Sequence, residues 1–314
     1  MTTGRLVISC VCSALALALM SAAGDLAVAN ERLLEVPVGE GVSGLQGLAS
    51  TNGGRTFYTL RLSSRASGSL ATVEQYAVSS SAPYLSLTGR IEGIRGIGHQ
   101  GLSAQMLPGE DVRLWTTSYD DKRSAFFFGV KEGGQRGSIR LFESRFLASV
   151  SSSPAISSDG RYLIAQGKRQ ASPERTTIRV WSLQDISCLQ ETANCTRQYL
   201  FEWTTDIAAE DYPVQAIASD GVSVWIISGN ESADQGKRLA RYALDGTLIS
   251  LNSSFSLGLA QILREYGPFS GYEPEGLSVY RDLVTKDLKI DVGFSVGRRQ
   301  QRQAAIVSFS TPQQ

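Results

Sequence analysis

The sequence is poor in the residues that most often build metal and redox sites. It has one histidine, His99, and four cysteines among 314 residues. A single histidine cannot supply the several imidazoles of a multi-histidine metal site, and no CxxC or Cys/His cluster offers the ligands of structural zinc. Acting as a general base for Ser103, His99 would need a third orienting group, and no such group is identifiable.

The chain also has no excess of positive or negative charge. Thirty basic residues balance thirty acidic ones, so no global positive field draws the chain to nucleic acid or to anionic lipid. The short charged stretches at Asp120–Asp121, Lys237–Arg238 and Gly297–Arg299 are interpreted as solvated loops. No phosphate-binding glycine-rich loop precedes a helix.

The first 29 residues have the pattern of a secretory signal peptide. Arg5 supplies the positive region and Leu6–Met20 the apolar run, with small-residue cleavage sites after Ala23 or Ala29. An uncleaved membrane anchor is the alternative. We therefore expect residues 30–314 to form the secreted or periplasmic part, without stable membrane insertion once the signal is removed.

An exported protein meets an oxidising environment, which bears on the two cysteines left after cleavage. Cys188 and Cys195 lie in the stretch SCLQETANCT and are predicted to form a local disulfide. Two free thiols are the alternative.

Five segments of the chain share one pattern. Each has a small residue, then Leu or Ile, then a turn that is often Asp-Gly or Asn-Gly, and then an alternating apolar strand. The Leu/Ile anchors are spaced 54, 54, 61 and 60 residues apart, and they are Leu48, Leu102, Ile156, Ile217 and Leu277. The small residues before them are Gly47, Gly101, Ala155, Ala216 and Gly276. A bulky residue occupies each following strand: Tyr58, Trp115, Tyr162, Trp225, and Phe294 or Ile290.

This period is close to that of propeller blades. The fold class is therefore predicted to be all-β, a single five-bladed β-propeller of antiparallel blades; a β-sandwich with coincidental spacing is the alternative. RLLEVPV (Arg32–Val38) is a candidate outer strand that closes the last blade, and Ser254–Gly267 the one plausible helix. Leu183–Asp211 is a long excursion whose FEWTTDI stretch predicts an outermost strand.

GFSVG (Gly293–Gly297) matches the G-x-S-x-G nucleophile pattern, but no histidine lies downstream of it. Ser295 is interpreted as a strand residue. We predict no catalytic residue anywhere in the chain.

The repeat places a polar residue beside each innermost strand, near the mouth of the central channel. The candidate ligand-binding set is Gln46, His99, Gln100, Gln215, Glu273 and Glu275. Amides and carboxylates there could hydrogen-bond a polar ligand such as a sugar, or could line a water-filled channel. Glu273 and Glu275 are weak candidates for calcium ligands; no other cofactor is expected.

These segments resemble the helveticin J-like bacteriocin family, whose propeller is related to phage receptor-binding proteins and to the teichoic-acid biosynthesis protein C family. The resemblance is carried by GIGHQG, SSPAISSDGRYLIA, VQAIASDGVSVWIISG, YEPEGLSVYRDL, LKIDVGFSVG and AAIVSF. The family often has a small residue between the histidine and the glutamine, whereas Gln100 follows His99 directly. The resemblance implies a secreted propeller that acts on or binds a cell-envelope target, with an antibacterial role.

The leading functional hypothesis is a monomeric propeller that binds a cell-surface glycan or envelope polymer without chemistry. A calcium-assisted hydrolase or lactonase is one alternative. A module that binds an envelope protein is the other.

Overall fold

A computed structural model describes residues 29–36, 44–63, 70–80, 84–109, 111–131, 134–184, 194–196, 198–207, 212–232, 234–256, 258–267, 271–297 and 302–311. The predicted signal peptide before Ala29 and Cys188 lie outside these residues. Within the described ranges, no helix has both the length and the hydrophobicity of a membrane span.

Five four-stranded antiparallel sheets confirm the predicted five-bladed propeller. Blade one contains β2 (Leu45–Thr51), β3 (Thr56–Ser63), β4 (Leu70–Val78) and β5 (Leu85–Ile94). Blade two contains β6 (Ile97–Met106), β7 (Val112–Ser118), β8 (Ser124–Gly129) and β9 (Arg136–Arg140). Blade three contains β10 (Ala155–Ile156), β11 (Tyr162–Arg169), β12 (Ser172–Ser182) and β13 (Phe201–Thr205).

A helix lies between the last two blades in the chain. Blade four contains β14 (Val214–Ser219), β15 (Ser223–Ser228), β16 (Lys237–Ala243) and β17 (Leu248–Phe255). Helix α1 (Leu259–Tyr266) follows it, within the predicted segment. Blade five contains β18 (Tyr272–Arg281), β19 (Leu288–Val296), β20 (Gln303–Thr311) and, as its outermost strand, β1 (Ala29–Val36).

The ring closes through β1, the first described strand of the chain. It pairs antiparallel with β20, with Leu34 opposite Ile306 and Val36 opposite Ala304. The predicted closing strand is therefore confirmed, and its described part begins three residues earlier than expected. FEWTTDI likewise supplies β13, the outermost strand of blade three.

Buried apolar residues form five clusters, one between each pair of adjacent blades. Trp115 and Phe127 of blade two lie with Trp181 of blade three in one cluster, and Tyr272 stacks on Phe294 in another with a centroid distance of 4.3 Å. Each amphipathic blade thus hides its apolar faces only against its neighbours.

All five anchor residues lie in the innermost strands, as the repeat predicts. The small residue before each anchor is explained by the narrowness of the channel. A Cβ on Gly47 would lie 2.7 Å from Leu102 Cβ, and one on Gly276 would lie 2.4 Å from Leu48 Cβ. Neighbouring inner strands therefore approach too closely for larger side chains.

Blade three has the shortest inner strand, of two residues. Pro154 lacks the N–H that a longer ladder would need, and Ser153 has a positive φ of 40°. Ser153 N instead donates to Thr117 Oγ1 over 3.1 Å, which ties this segment to blade two.

The excursion after blade three returns to the core at Cys195. Cys195 is buried, and its carbonyl accepts a 2.9 Å hydrogen bond from Trp181 Nε1. The disulfide with Cys188 stays a prediction because Cys188 is outside the described residues.

We predict that Gly276→Ala destabilises the fold by about 1–3 kcal/mol, because the added methyl overpacks the contact with Leu48. The measurement is the free energy of unfolding in denaturant. Gly89→Ala in β5 is the matched control: its Cβ would lie 3.5 Å from Gln75 Oε1, an ordinary contact. Equal unfolding free energies for the two variants would contradict the argument.

Candidate functional site

Three innermost strands carry a β-bulge at the predicted polar position. The pairing register shifts between Leu45 and Gly47, between Val214 and Ala216, and between Pro274 and Gly276. The residue left unpaired is Gln46, Gln215 or Glu275. A bulge turns the extra residue away from the regular alternation, so these polar side chains share one end of the channel.

The inner strand of blade two is also irregular at this position, and its register shift spans more residues. Its register shifts between Ile97 and Leu102, a span that contains His99 and Gln100. Gln100 has a φ of 70° and Gly101 a φ of 82°. Two consecutive left-handed residues bend the strand and present Gln100 toward the opposite side of the channel.

Hydrogen bonds join the predicted side chains across blades. Gln100 Nε2 donates to Gln215 Oε1 over 2.6 Å, and Gln215 Nε2 donates to Glu273 Oε1 over 3.2 Å. Gln46 Nε2 donates to Glu275 Oε1, also over 3.2 Å. Five of the six predicted residues therefore take part in contacts at the channel mouth.

Arg302 completes this network and was missed by sequence reasoning. Its guanidinium donates to Glu273 Oε2 over 2.7 Å and to Glu231 Oε2 over 2.6 Å, and lies 3.7 Å from Glu275 Oε1. Arg302 directly precedes β20 and Glu231 follows β15, so neither belongs to the inner-strand repeat. The only available signal was an arginine immediately before a buried apolar strand.

Lys237 corrects the interpretation of Lys237–Arg238 as a solvated loop. Its side chain is fully buried in β16 and donates to the carbonyls of Asn230 and Ser232, each over 2.7 Å. Burial lowers the pKa of Lys237 to about 8, while the Glu273 carboxylate opposes that change. Two carbonyl acceptors explain how a cation can be accommodated there.

Asp121 is a second correction to the loop interpretation. It is half-buried and binds Arg123 and Arg140 at 2.9 and 2.8 Å. Arg298 and Arg299, the third charged stretch, lie outside the described residues.

The six predicted residues differ in their access to solvent. Gln46, Gln215 and Glu275 are buried, with Glu275 only 2% exposed. Gln100 and Glu273 are half-buried, and His99 is exposed. The mouth therefore has an outer layer that can touch a ligand and a buried layer that orients it.

His99 lies at the rim of the mouth, where the charges of Glu273 and Arg302 affect its pKa. Desolvation of the imidazole by the surrounding protein lowers the pKa of His99. The positive charge of Lys122 lowers it further, while the negative charge of Glu273 opposes both effects. The imidazole is accordingly neutral at pH 7 and can both donate and accept a hydrogen bond.

The channel interior beyond the mouth is narrow. The cavity lined by Ser50, Ser103, Ser219 and Ser278 has a volume of about 30 Å³, and the Ser50 and Ser278 hydroxyls lie 2.6 Å apart. This is room for roughly one water molecule. A sugar cannot enter, so any ligand of this site must lie on the mouth.

The carboxyl group of Glu275 has a strongly perturbed pKa. Burial raises its pKa well above the ordinary value, and the adjacent Glu273 carboxylate raises it further, against the opposing charge of Arg302. Glu275 therefore keeps a proton to a higher pH than an ordinary glutamate does. Glu273 Oε2 accepts the 2.7 Å hydrogen bond from Arg302 Nη1.

The weak calcium hypothesis rested on the same two acids. Both already bind protein groups: Glu273 binds Arg302 and Gln215, and Glu275 binds Gln46. Among the described residues, no group of three or more His, Cys, Asp and Glu side chains could hold a metal ion. Ser295, from the G-x-S-x-G pattern, lies fully buried in β19, as its interpretation as a strand residue requires.

We predict that Glu275→Gln is more stable than the native chain at neutral and alkaline pH. An acid whose folded pKa is raised gives its full stabilisation below its unfolded pKa and loses it as the pH rises. The gain should be roughly 1.4 kcal/mol for each pH unit between the folded and unfolded pKa values, and should vanish near pH 4. Denaturant unfolding across pH 4–9 measures it.

Glu143→Gln is the control of opposite sign. Burial tends to raise the pKa of Glu143, but the hydrogen bond and charge of Arg179 outweigh it and hold the pKa low. This variant should lose stability at neutral pH and approach the native chain as the pH falls. A pH-independent gain for Glu275→Gln would contradict the assignment of the proton.

Many solved structures resemble this chain, among them a phage tail fiber and an α-L-arabinofuranosidase. The tail fiber of Staphylococcus aureus phage P68 is 17% identical with a TM-score of 0.62, covering 90% of this chain and 53% of that one; the chain thus spans about half of the tail fiber. The α-L-arabinofuranosidase of Podospora anserina, solved with cellotriose, is 10% identical with a TM-score of 0.50, covering 90% of this chain and 96% of that one. At these identities the likeness shows the fold alone.

No curated protein matches the chain. A family model, the phage 5-bladed beta propeller receptor binding platform domain, matches residues 138–308, more than half of the chain. This match supports the phage receptor-binding part of the resemblance; the helveticin J and teichoic-acid parts stay predictions. The chain belongs to the family of phage five-bladed β-propeller receptor-binding platform domains.

Proposed function

We propose that this protein binds a polar ligand of the cell envelope, a glycan or a wall polymer, at the channel mouth and without chemistry. The observation that carries the proposal is the hydrogen-bond network that fixes Gln100, Glu273 and Arg302 around the exposed His99. Membership of a receptor-binding platform family supports a surface ligand.

The donors and acceptors of the mouth suit a hydroxyl-rich ligand. Gln100 and neutral His99 each offer a donor and an acceptor, Glu273 offers acceptors and Arg302 offers donors. Because buried Gln215 and Glu275 hold these groups in place, little side-chain freedom is lost when a ligand binds. Such preorganised polar groups favour recognition of ligand orientation.

We extend the proposal to the location of the protein. The predicted signal peptide and the predicted Cys188–Cys195 disulfide both favour a secreted or periplasmic protein. A cut after Ala23 leaves β1 whole, whereas a cut after Ala29 removes its first residue. We therefore favour Ala23, with the ring-closing strand intact.

An enzyme and a protein-binding module remain the competing functions. Similarity to the arabinofuranosidase reaches only the fold. Glu275 is buried and Glu273 is bound by Arg302, which makes the pair a poor general acid and base for a ligand on the mouth. We therefore favour binding over hydrolysis.

The double variant His99→Ala/Gln100→Asn tests the mouth. Asparagine tolerates the left-handed backbone of position 100, while its shorter amide should lose the bond to Gln215. We expect at least tenfold weaker binding to one set of glycans on an array of neutral, amino and acidic envelope oligosaccharides, with an unchanged thermal unfolding midpoint.

Gln135→Ala is the control, since Gln135 bonds Arg113 on the outer part of blade two, away from the network. Unchanged binding by the double variant would remove the mouth as the ligand site. Release of reducing sugar from the array would favour the hydrolase, and capture of an envelope protein with no bound glycan would favour the interaction module.

A further inference from the structure

A second polar recess lies on the outer side of blades two and three. It consists of two cavities of about 480 and 540 Å³ that share Glu143 and Ser144. We call it the lateral groove; its lining residues are Arg140, Glu143, Ser144, Arg145, Asn194, Thr196, Gln198 and Tyr199. Each cavity has the size of small-molecule sites, which run roughly 300–1,000 Å³.

The groove rests on a buried arginine. Arg179 of β12 has no exposed side-chain surface, and its guanidinium donates to the carbonyls of Leu141 and Thr196 over 3.0 and 3.1 Å. Arg179 Nη1 also lies 2.9 Å from Glu143 Oε2. One buried cation thereby connects the segment after β9 with the segment before β13, the two sides of the groove.

Aromatic rings surround the same cation. The Arg179 guanidinium lies 4.5 Å from the ring centroid of Tyr199, and Phe142 and Phe146 lie at 5.1 and 4.9 Å. Cation–π contacts of this kind gain strength when they are desolvated. Tyr199 is therefore held in a fixed orientation, half-buried, where it lines the groove.

The polar side chains of the groove leave capacity for a ligand. Glu143 Oε2 is buried 2.9 Å from Arg179 Nη1, while the Glu143 side chain as a whole is 24% exposed. Ser144 is exposed, and the Arg145 guanidinium is 56% exposed while it donates to Glu143 Oε1 over 3.2 Å. A carboxylate, a hydroxyl and a guanidinium thus lie beside one aromatic ring.

We propose that the lateral groove is a second glycan-binding site, which takes a neutral sugar. Tyr199 offers an apolar surface for the C–H face of a pyranose ring, and Glu143, Ser144 and Arg145 offer partners for its hydroxyls. The two arginines that line the groove are each paired with a carboxylate, Arg140 with Asp121 and Arg145 with Glu143, which favours a neutral sugar over an anionic one. This site is independent of the channel mouth, and two sites on one polymer would raise the overall affinity through effective concentration.

Ser144→Trp tests the groove, because the indole would fill it from an exposed position without removing any contact of Arg179. On the same oligosaccharide array we expect at least tenfold weaker binding to a set of neutral glycans, with an unchanged thermal unfolding midpoint. Tyr199→Leu, which removes the ring but keeps an apolar side chain, should weaken the same set.

Ser86→Trp on the exposed edge strand β5 is the matched control and should bind as the native chain does. His99→Ala/Gln100→Asn should keep the glycans that Ser144→Trp loses, which separates failure of the groove from failure of the mouth. The proposal is overturned if Ser144→Trp binds every glycan as the native chain does, or if the native chain retains no neutral glycan.

Discussion

The close approach of the five inner strands at the axis is the constraint on which the rest of the structure depends. A Cβ on Gly47 would lie 2.7 Å from Leu102, and one on Gly276 would lie 2.4 Å from Leu48, so a larger residue before these anchors would collide with the neighbouring blade. This spacing leaves a channel with room for roughly one water molecule. It also sets the distance between adjacent blades, and hence the size of the five apolar clusters that stabilise the ring. An isolated blade would expose both of its apolar faces to water.

The same convergence crowds polar groups together at the channel mouth. Bulges in blades one, four and five place Gln46, Gln215 and Glu275 in one layer, where water is largely excluded. An ionised acid pair would be costly there, since two like charges share a poorly solvated site. Two features avoid this cost. The raised pKa of Glu275 favours its protonated form, and the guanidinium of Arg302 binds Glu273. The result is a buried, hydrogen-bonded layer beneath a few accessible side chains.

Most of the fold could be predicted because it is repeated. The anchors, the turn after each anchor and the bulky residue in the next strand recur five times. The prediction of the fold therefore depended on the repeated pattern and not on any single feature. The channel-mouth set followed from the same register. Arg302, Glu231 and Lys237 could not be found this way, because each occurs once and reaches the mouth from outside the inner strands. Lys237 was misread since a charged pair in a polar stretch is usually solvated, and only the fold shows the two carbonyls that receive its ammonium.

The lateral groove was hidden from sequence for a related reason. Its residues come from the end of blade two and from the one excursion that the repeat does not explain, and Arg179 connects them from a third position, inside a strand that reads as ordinary blade core. The excursion therefore does more than lengthen a connection. By carrying Tyr199 and Thr196 back to Arg179, it builds a recess whose two cavities are each more than fifteen times larger than the channel cavity. In a ring whose channel is too narrow for a ligand, recognition is left to the mouth and the outer surfaces. Segments between blades are where the outer surfaces can change without disturbing the inner strands.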